Sequence, residues 1–144
     1  MNEFVIEYKY LIVPMISWLG IQLFKLLYDR FETKKWHFER FIGAGGMPSS
    51  HSAVVVSLAT LVGRNCGTNS PIFAVSAIVA LITMYDAAGV RRAAGKQAKL
   101  LNKIVETPGL TGLQVSERLV EVLGHTPVQV IVGAAIGVVV GLLV

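Results

Sequence analysis

The chain predicts an all-α integral membrane helical bundle, with about four transmembrane helices plus cytoplasmic amphipathic helices. Three observations carry that prediction. The 144 residues are 53% hydrophobic and only 15% charged, with a mean hydropathy of +0.62, whereas soluble domains carry about 25% charged residues. Four apolar segments punctuate the chain, at about 10–28, 52–63, 72–89 and 128–144. The basic residues gather in the stretches that alternating crossings place on one side. At this length the segments make one domain, 1–144.

The first segment, Tyr10 to Tyr28, contains "LIVPMISWLGIQLFKLLY", with Gln22 and Lys25 in its second half. The second, "SAVVVSLATLVG" from Ser52 to Gly63, makes only about 18 Å of helix. A crossing takes about 20 residues, so this segment has to recruit residues N-terminal to it, sit where the bilayer is thin, or be shielded by neighbours. The third follows Pro71, runs from Ile72 to about Gly89 and ends "MYDAAG". The fourth, Val128 to Val144, places glycines at 133, 137 and 141. That small-residue stripe suits close packing inside the bundle or, alternatively, a homo-oligomer.

If all four segments cross, the 29–51 and 90–127 stretches share one side. They hold Arg30, Lys34, Lys35, Arg40, Arg91, Arg92, Lys96, Lys99, Lys103 and Arg118, against Lys9 and Arg64 on the other. Ten against two makes the basic loops cytoplasmic and both termini external, in a bacterial cytoplasmic membrane. In so apolar a chain the net charge of +4 marks membrane flanks, so no nucleic acid partner is expected. The single Cys66 excludes an internal disulfide and thiolate metal clusters. Glu3, Glu7 and Lys9 precede the first apolar run, a pattern unlike a cleavable signal peptide.

Within 90–127, "VRRAAGKQAKLLNKI" reads as a helix with Arg92, Lys96, Lys99 and Lys103 on one face. That face suits anionic headgroups, phosphate, or plain solvation. "ETPGLTG" is a turn cluster, and "QVSERLVEVL" reads as a second short amphipathic helix stopped by Gly124. His37, beside Trp36, reads as an interfacial belt residue.

Three features converge on the cytoplasmic side. In "GGMPSSHSA", Pro48, Ser49 and Ser50 read as a helix start, where free backbone N–H groups favour anions, and His51 adds a group that titrates near neutrality. In "MYDAAGVRRAAGKQ", Asp86 stands at the edge of an apolar segment, where a carboxylate is costly. Arg91 and Arg92 follow it, and Asp86, Gly89, Ala93 and Lys96 fall on one helical face. In "LGHTPVQ", Gly124 ends one element, Thr126 and Pro127 begin the next, and His125 lies just before its positive end.

These three blocks, "GGMPSSHSA", "MYDAAGVRRAAGKQA" and "LGHTP", resemble the divergent branch of the type 2 phosphatidic acid phosphatase and vanadium haloperoxidase superfamily. Its small membrane proteins are called acid phosphatase/vanadium-dependent haloperoxidase-related, and the match extends from Gln22 onward. "MPSSHSA" is similar to the P-S-G-H motif, and "GHTPVQVIVGAAIG" to the end of S-R-x5-H-x3-D. The resemblance implies phosphomonoester hydrolysis without metal or cofactor. His125 matches the nucleophile, His51 the acid for the leaving oxygen, and Ser49 the phosphate-binding serine, while Ser50 replaces a glycine. The sequence also departs from the pattern. K-x6-R-P is missing, Leu119 stands where arginine would, and Gln129 where aspartate would. Arg91, Arg92, Lys96 and Lys25 are the cations available to hold phosphate, and Asp86 or Glu121 the carboxylates available to orient His125. The expected substrate is a phosphorylated lipid or isoprenoid met at headgroup level. The competing expectation is a non-catalytic anionic-lipid binder or carrier that keeps the phosphate pocket.

Overall fold

The structure, a computed structural model, describes residues 7–36, 46–107, 118–121 and 123–144. His37, Arg40, Gly45 and most of the turn cluster at 106–112 lie outside the described residues. Among the described residues five helices form: α1 Lys9–Thr33, α2 Ser50–Cys66, α3 Pro71–Ala88, α4 Val90–Glu106 and α5 Pro127–Leu143. No strand occurs among the described residues. Each expected apolar segment is a helix. By length and apolarity, α1 and the run Pro71–Glu106 suffice to cross a membrane, and α5 is a shorter apolar helix.

Local sequence explains the ends. Ser49 caps α2, its Oγ accepting from the Ser52 N–H at 3.3 Å and from the Ser52 hydroxyl at 2.9 Å. Ser70 and Pro71 start α3 in the same way. Thr126 opens α5 with a full capping box, because Gln129 Oε1 accepts the Thr126 N–H at 2.9 Å. Between α3 and α4 only Gly89 leaves helical geometry (φ −103°, ψ −86°).

The central element is α2, which packs against α5, α1 and α3. This resolves the question its shortness raised. It gains Ser50 and His51 at one end and Arg64, Asn65 and Cys66 at the other, and its neighbours shield its polar face. The glycine stripe is used within the chain. A Cβ on Gly133 would strike the Ser49 carbonyl oxygen, one on Gly137 would come within 2.6 Å of Ala53 O, and one on Gly141 within 2.8 Å of Ser57 O. Both sets advance by four residues in the same sense, so α2 and α5 run parallel with their backbones in contact. Lys9 Nζ reaching Asn65 Oδ1 at 2.7 Å sets the start of α1 beside the end of α2. Arg64, bonded to the Leu142 carbonyl, joins that same end of the bundle.

Polarity is distributed as a bilayer requires. Leu11, Leu19, Leu81, Ile82 and Ile131 are exposed on the outer faces, whereas Ser17, Gln22, Lys25, Asp29, Ser52 and Ser57 are buried inside. A soluble domain does the reverse.

In the expected second amphipathic helix, residues 118–121 and 123 are irregular rather than helical, and the rest of the stretch lies outside the described residues. The reason is Asn102 on α4. Its Nδ2 donates to the Leu119 carbonyl at 2.8 Å, and its Oδ1 accepts the Leu119 N–H at 3.0 Å. A side-chain amide thereby takes the backbone bonds that a helix would have used. Gly95 lets this strap lie flat on α4, since a Cβ there would come within 2.7 Å of Glu121 O and 2.8 Å of Leu123 O.

Candidate active site

The parallel arrangement of α2 and α5 brings two helix N-termini to one end of the bundle, with α3 ending beside them. The Ser49 N–H donates to the Gln129 carbonyl at 3.1 Å, and the His125 N–H donates to the Ala87 carbonyl at 2.9 Å. Gly124, at φ +79°, turns the strap against the backbone of Arg91 and Arg92, where a side chain would collide. These contacts fix His125 from three sides.

The result is an open cleft of about 280 Å³ lined by His51, Thr83, Asp86, Ala87, Arg91, Gly124 and His125. His51 stands in the first turn of α2 and is exposed, whereas His125 is 3% exposed. His125 Nε2 is buried without a hydrogen-bond partner among the described residues. Burial, reinforced by the charges of Lys25, His51 and Arg91, pushes the His125 pKa down to about 4. Its imidazole is therefore neutral at physiological pH, the form that has a lone pair to offer. Arg91 Nε bonds Asp86 Oδ2 at 2.5 Å across the cleft wall. Asp86 also lies within electrostatic reach of His51.

Of the residues singled out in the sequence, His51, Asp86, Arg91 and His125 line the cleft together. Lys25 is buried on α1 and its charge reaches His125. Ser49 and Ser50 are buried at the α2 start and do not line the cleft; the Ser49 hydroxyl is engaged as the cap. Arg92 and Lys96 do not line it either, because the break at Gly89 turns the face that Asp86 and Lys96 were expected to share. Glu121 accepts from Asn102 at 2.9 Å and from Arg118 at 3.1 Å, which hold its carboxyl below the usual range. That leaves Asp86 as the carboxylate at the cleft. Gln129, where the superfamily pattern has aspartate, is occupied by the capping box.

Thr83, Ala87 and Gly124 were not singled out as site residues. Thr83 stands one turn before Asp86 and Ala87 one turn after Thr83, so helical spacing, first from Asp86 and then from Thr83, was the available signal. Asp29, 1% exposed on α1, was also passed over, although a carboxylate four residues after Lys25 in an apolar helix was visible.

The family model described as the divergent PAP2 family matches residues 6–140. The chain belongs to the divergent PAP2 family. A Bacillus subtilis (strain 168) relative described as uncharacterized membrane protein YuiD is 39% identical over 140 residues, covering 87% of this chain and 89% of the relative. No solved structure matches the chain.

Proposed function

We propose that this divergent PAP2 protein hydrolyses a phosphomonoester carried on a lipid or isoprenoid, through a phosphohistidine at His125, at the cytoplasmic face. The observation that carries the reading is the meeting of a neutral, buried His125 with His51, Asp86 and Arg91 in one cleft. In the first step the imidazole lone pair attacks phosphorus, the P–O bond to the alcohol breaks, and His51, whose protonated form the charges of the bound phosphate and of Asp86 favour, protonates the departing oxygen. In the second step His51, now neutral, takes a proton from water as the water oxygen attacks phosphorus. The P–N bond breaks, and phosphate and a free imidazole result. Arg91, with the buried Lys25 whose charge also reaches His125, balances the charge on the transferring phosphoryl group, so phosphate has to draw Arg91 away from Asp86. Thr83, one turn before Asp86 on α3, also lines the cleft and carries a hydroxyl.

One feature favours a lipid. The helix that brings Thr83 and Asp86 to the cleft exposes Ile78, Leu81, Ile82 and Tyr85 outward, where an acyl or prenyl chain can lie.

The second reading, a binder or carrier of anionic lipid, is favoured by the Asp86–Arg91 pair and by Gln129 standing in place of the orienting carboxylate. One experiment separates the two. Purified protein is given a panel of phosphorylated lipids and isoprenoids, with His125→Ala and His51→Ala as controls. Phosphate release that vanadate blocks and His125→Ala abolishes is expected. Lipid binding that survives both substitutions, with no release by the unaltered chain, gives the carrier instead.

A further inference from the structure

Helix α4 presents more than the site needs. Its inner face, Gly95, Ala98 and Asn102, is buried, with Asn102 and Gly95 set against the strap. Beside that face run Arg92, Lys96, Lys99 and Lys103, spaced four, three and four residues apart. None of the four is in an ion pair among the described residues, whereas Arg91 and Arg118 are both paired to carboxylates. The remaining third of the helix surface is apolar. Val90 is 62% exposed, Leu100 60% and Leu101 50%. A helix projecting into water has no cause to display such residues next to an unneutralised basic row.

Continuity with the bundle says what covers them. Only Gly89 separates α4 from α3, an apolar helix exposed to lipid along most of its length. The first turn of α4 therefore begins where α3 leaves the hydrocarbon. Aliphatic residues on one face, flanked by lysines whose stems can reach sideways to headgroups, form the pattern of a helix lying in the interface.

We propose that α4 docks by this outer surface onto the anionic headgroup layer of the bilayer that holds the bundle, as a lipid contact separate from the cleft. The occupant is phospholipid bearing net negative charge. The aliphatic face enters the acyl boundary, and Arg92, Lys96, Lys99 and Lys103 meet the phosphates. Docking holds from outside the helix that carries Arg91 into the cleft and the strap against its inner face. It needs no turnover and stands whether the cleft hydrolyses its ligand or only binds it.

The test places an environment-sensitive dye at Leu101→Cys, in a Cys66→Ser background, with the chain in nanodiscs of phosphatidylcholine alone or mixed with phosphatidylglycerol. In the mixed discs the dye emission is expected to shift to the blue and to be quenched by spin labels on lipid headgroups. In phosphatidylcholine alone it stays closer to water. Neutralising the row with Lys96→Gln, Lys99→Gln and Lys103→Gln shifts the docking equilibrium on the order of a hundredfold towards the free helix, from the attraction of three cations to an anionic surface. High salt does the same to the unsubstituted row, which guards against a variant that fails to fold. Soluble glycerol phosphate leaves the dye unchanged. The proposal is overturned by equal emission in the two lipids, by a blue shift that persists in detergent without phospholipid, or by docking that survives both salt and the triple substitution.

Discussion

At the scale of single residues, the cleft sets two histidines to different work by placing them differently. His51 is exposed at a helix start, while His125 is buried beside the positive charges of Lys25 and Arg91. An ordinary imidazole titrates near 6.5, and burial first, then those charges, bring His125 down to about 4. The sign follows directly. Above about 6.5 the ring is neutral in folded and unfolded chains alike, so stability is undiminished there. As pH falls from about 6.5 to about 4 the unfolded chain takes the proton first, and stability is lost across that window. A histidine NMR titration should therefore give His125 a midpoint near 4, and Lys25→Met should move it upward by removing one of the three charges. The midpoint should still fall short of 6.5, because burial is the leading cause. A midpoint near 6.5 in the unaltered chain would remove the case for a neutral nucleophile.

At the scale of elements, the strap shows what sequence patterning conveys and what it omits. Apolar runs and helix caps are local signals, so α1, α2, α3 and α5 could be read directly, as could the α4 periodicity. The "QVSERLVEVL" stretch carries an equally plausible helical pattern, but its fate is set by Asn102, more than a dozen residues earlier. No local rule announces that a particular asparagine will claim a distant backbone. Ser49, by contrast, stands at a helix start in the sequence and serves as the cap there. Asn102 is a strong test because it makes three hydrogen bonds from a 7% exposed side chain. Asn102→Ala should cost about 1–3 kcal/mol through the groups left unsatisfied. Hydrogen exchange should locate the damage, with the Leu119 amide exchanging faster and the core amides of α2 unchanged. Unchanged protection at Leu119 would mean that the strap is held by something else.

At the scale of the whole molecule, the bundle has two chemically distinct ends, and this was the most legible property of the sequence. By the count of ten basic groups against two, the two are expected to share one end, and they lie together. Lys9 and Arg64 meet Asn65 and the Leu142 carbonyl at one end, while His51, His125 and the whole of α4 lie towards the other. What the count could not supply was the pairing of helices, which rests on backbone contact between Gly133, Gly137 and Gly141 and the turns of α2. That contact fixes which ends coincide, so a single accessible residue at each end suffices to orient the protein in its membrane. Cys66 is exposed at the end of α2 and is the chain's only cysteine, while Lys35 is exposed just beyond α1 at the opposite end. From the positive-inside bias, Lys35 is expected in the cytoplasm and Cys66 outside. A membrane-impermeant maleimide should then label the unaltered chain in intact cells through Cys66. A Cys66→Ser, Lys35→Cys chain should resist it until the cells are opened. The reverse pattern would turn the bundle over, moving the cleft and the basic face of α4 to the outer surface together.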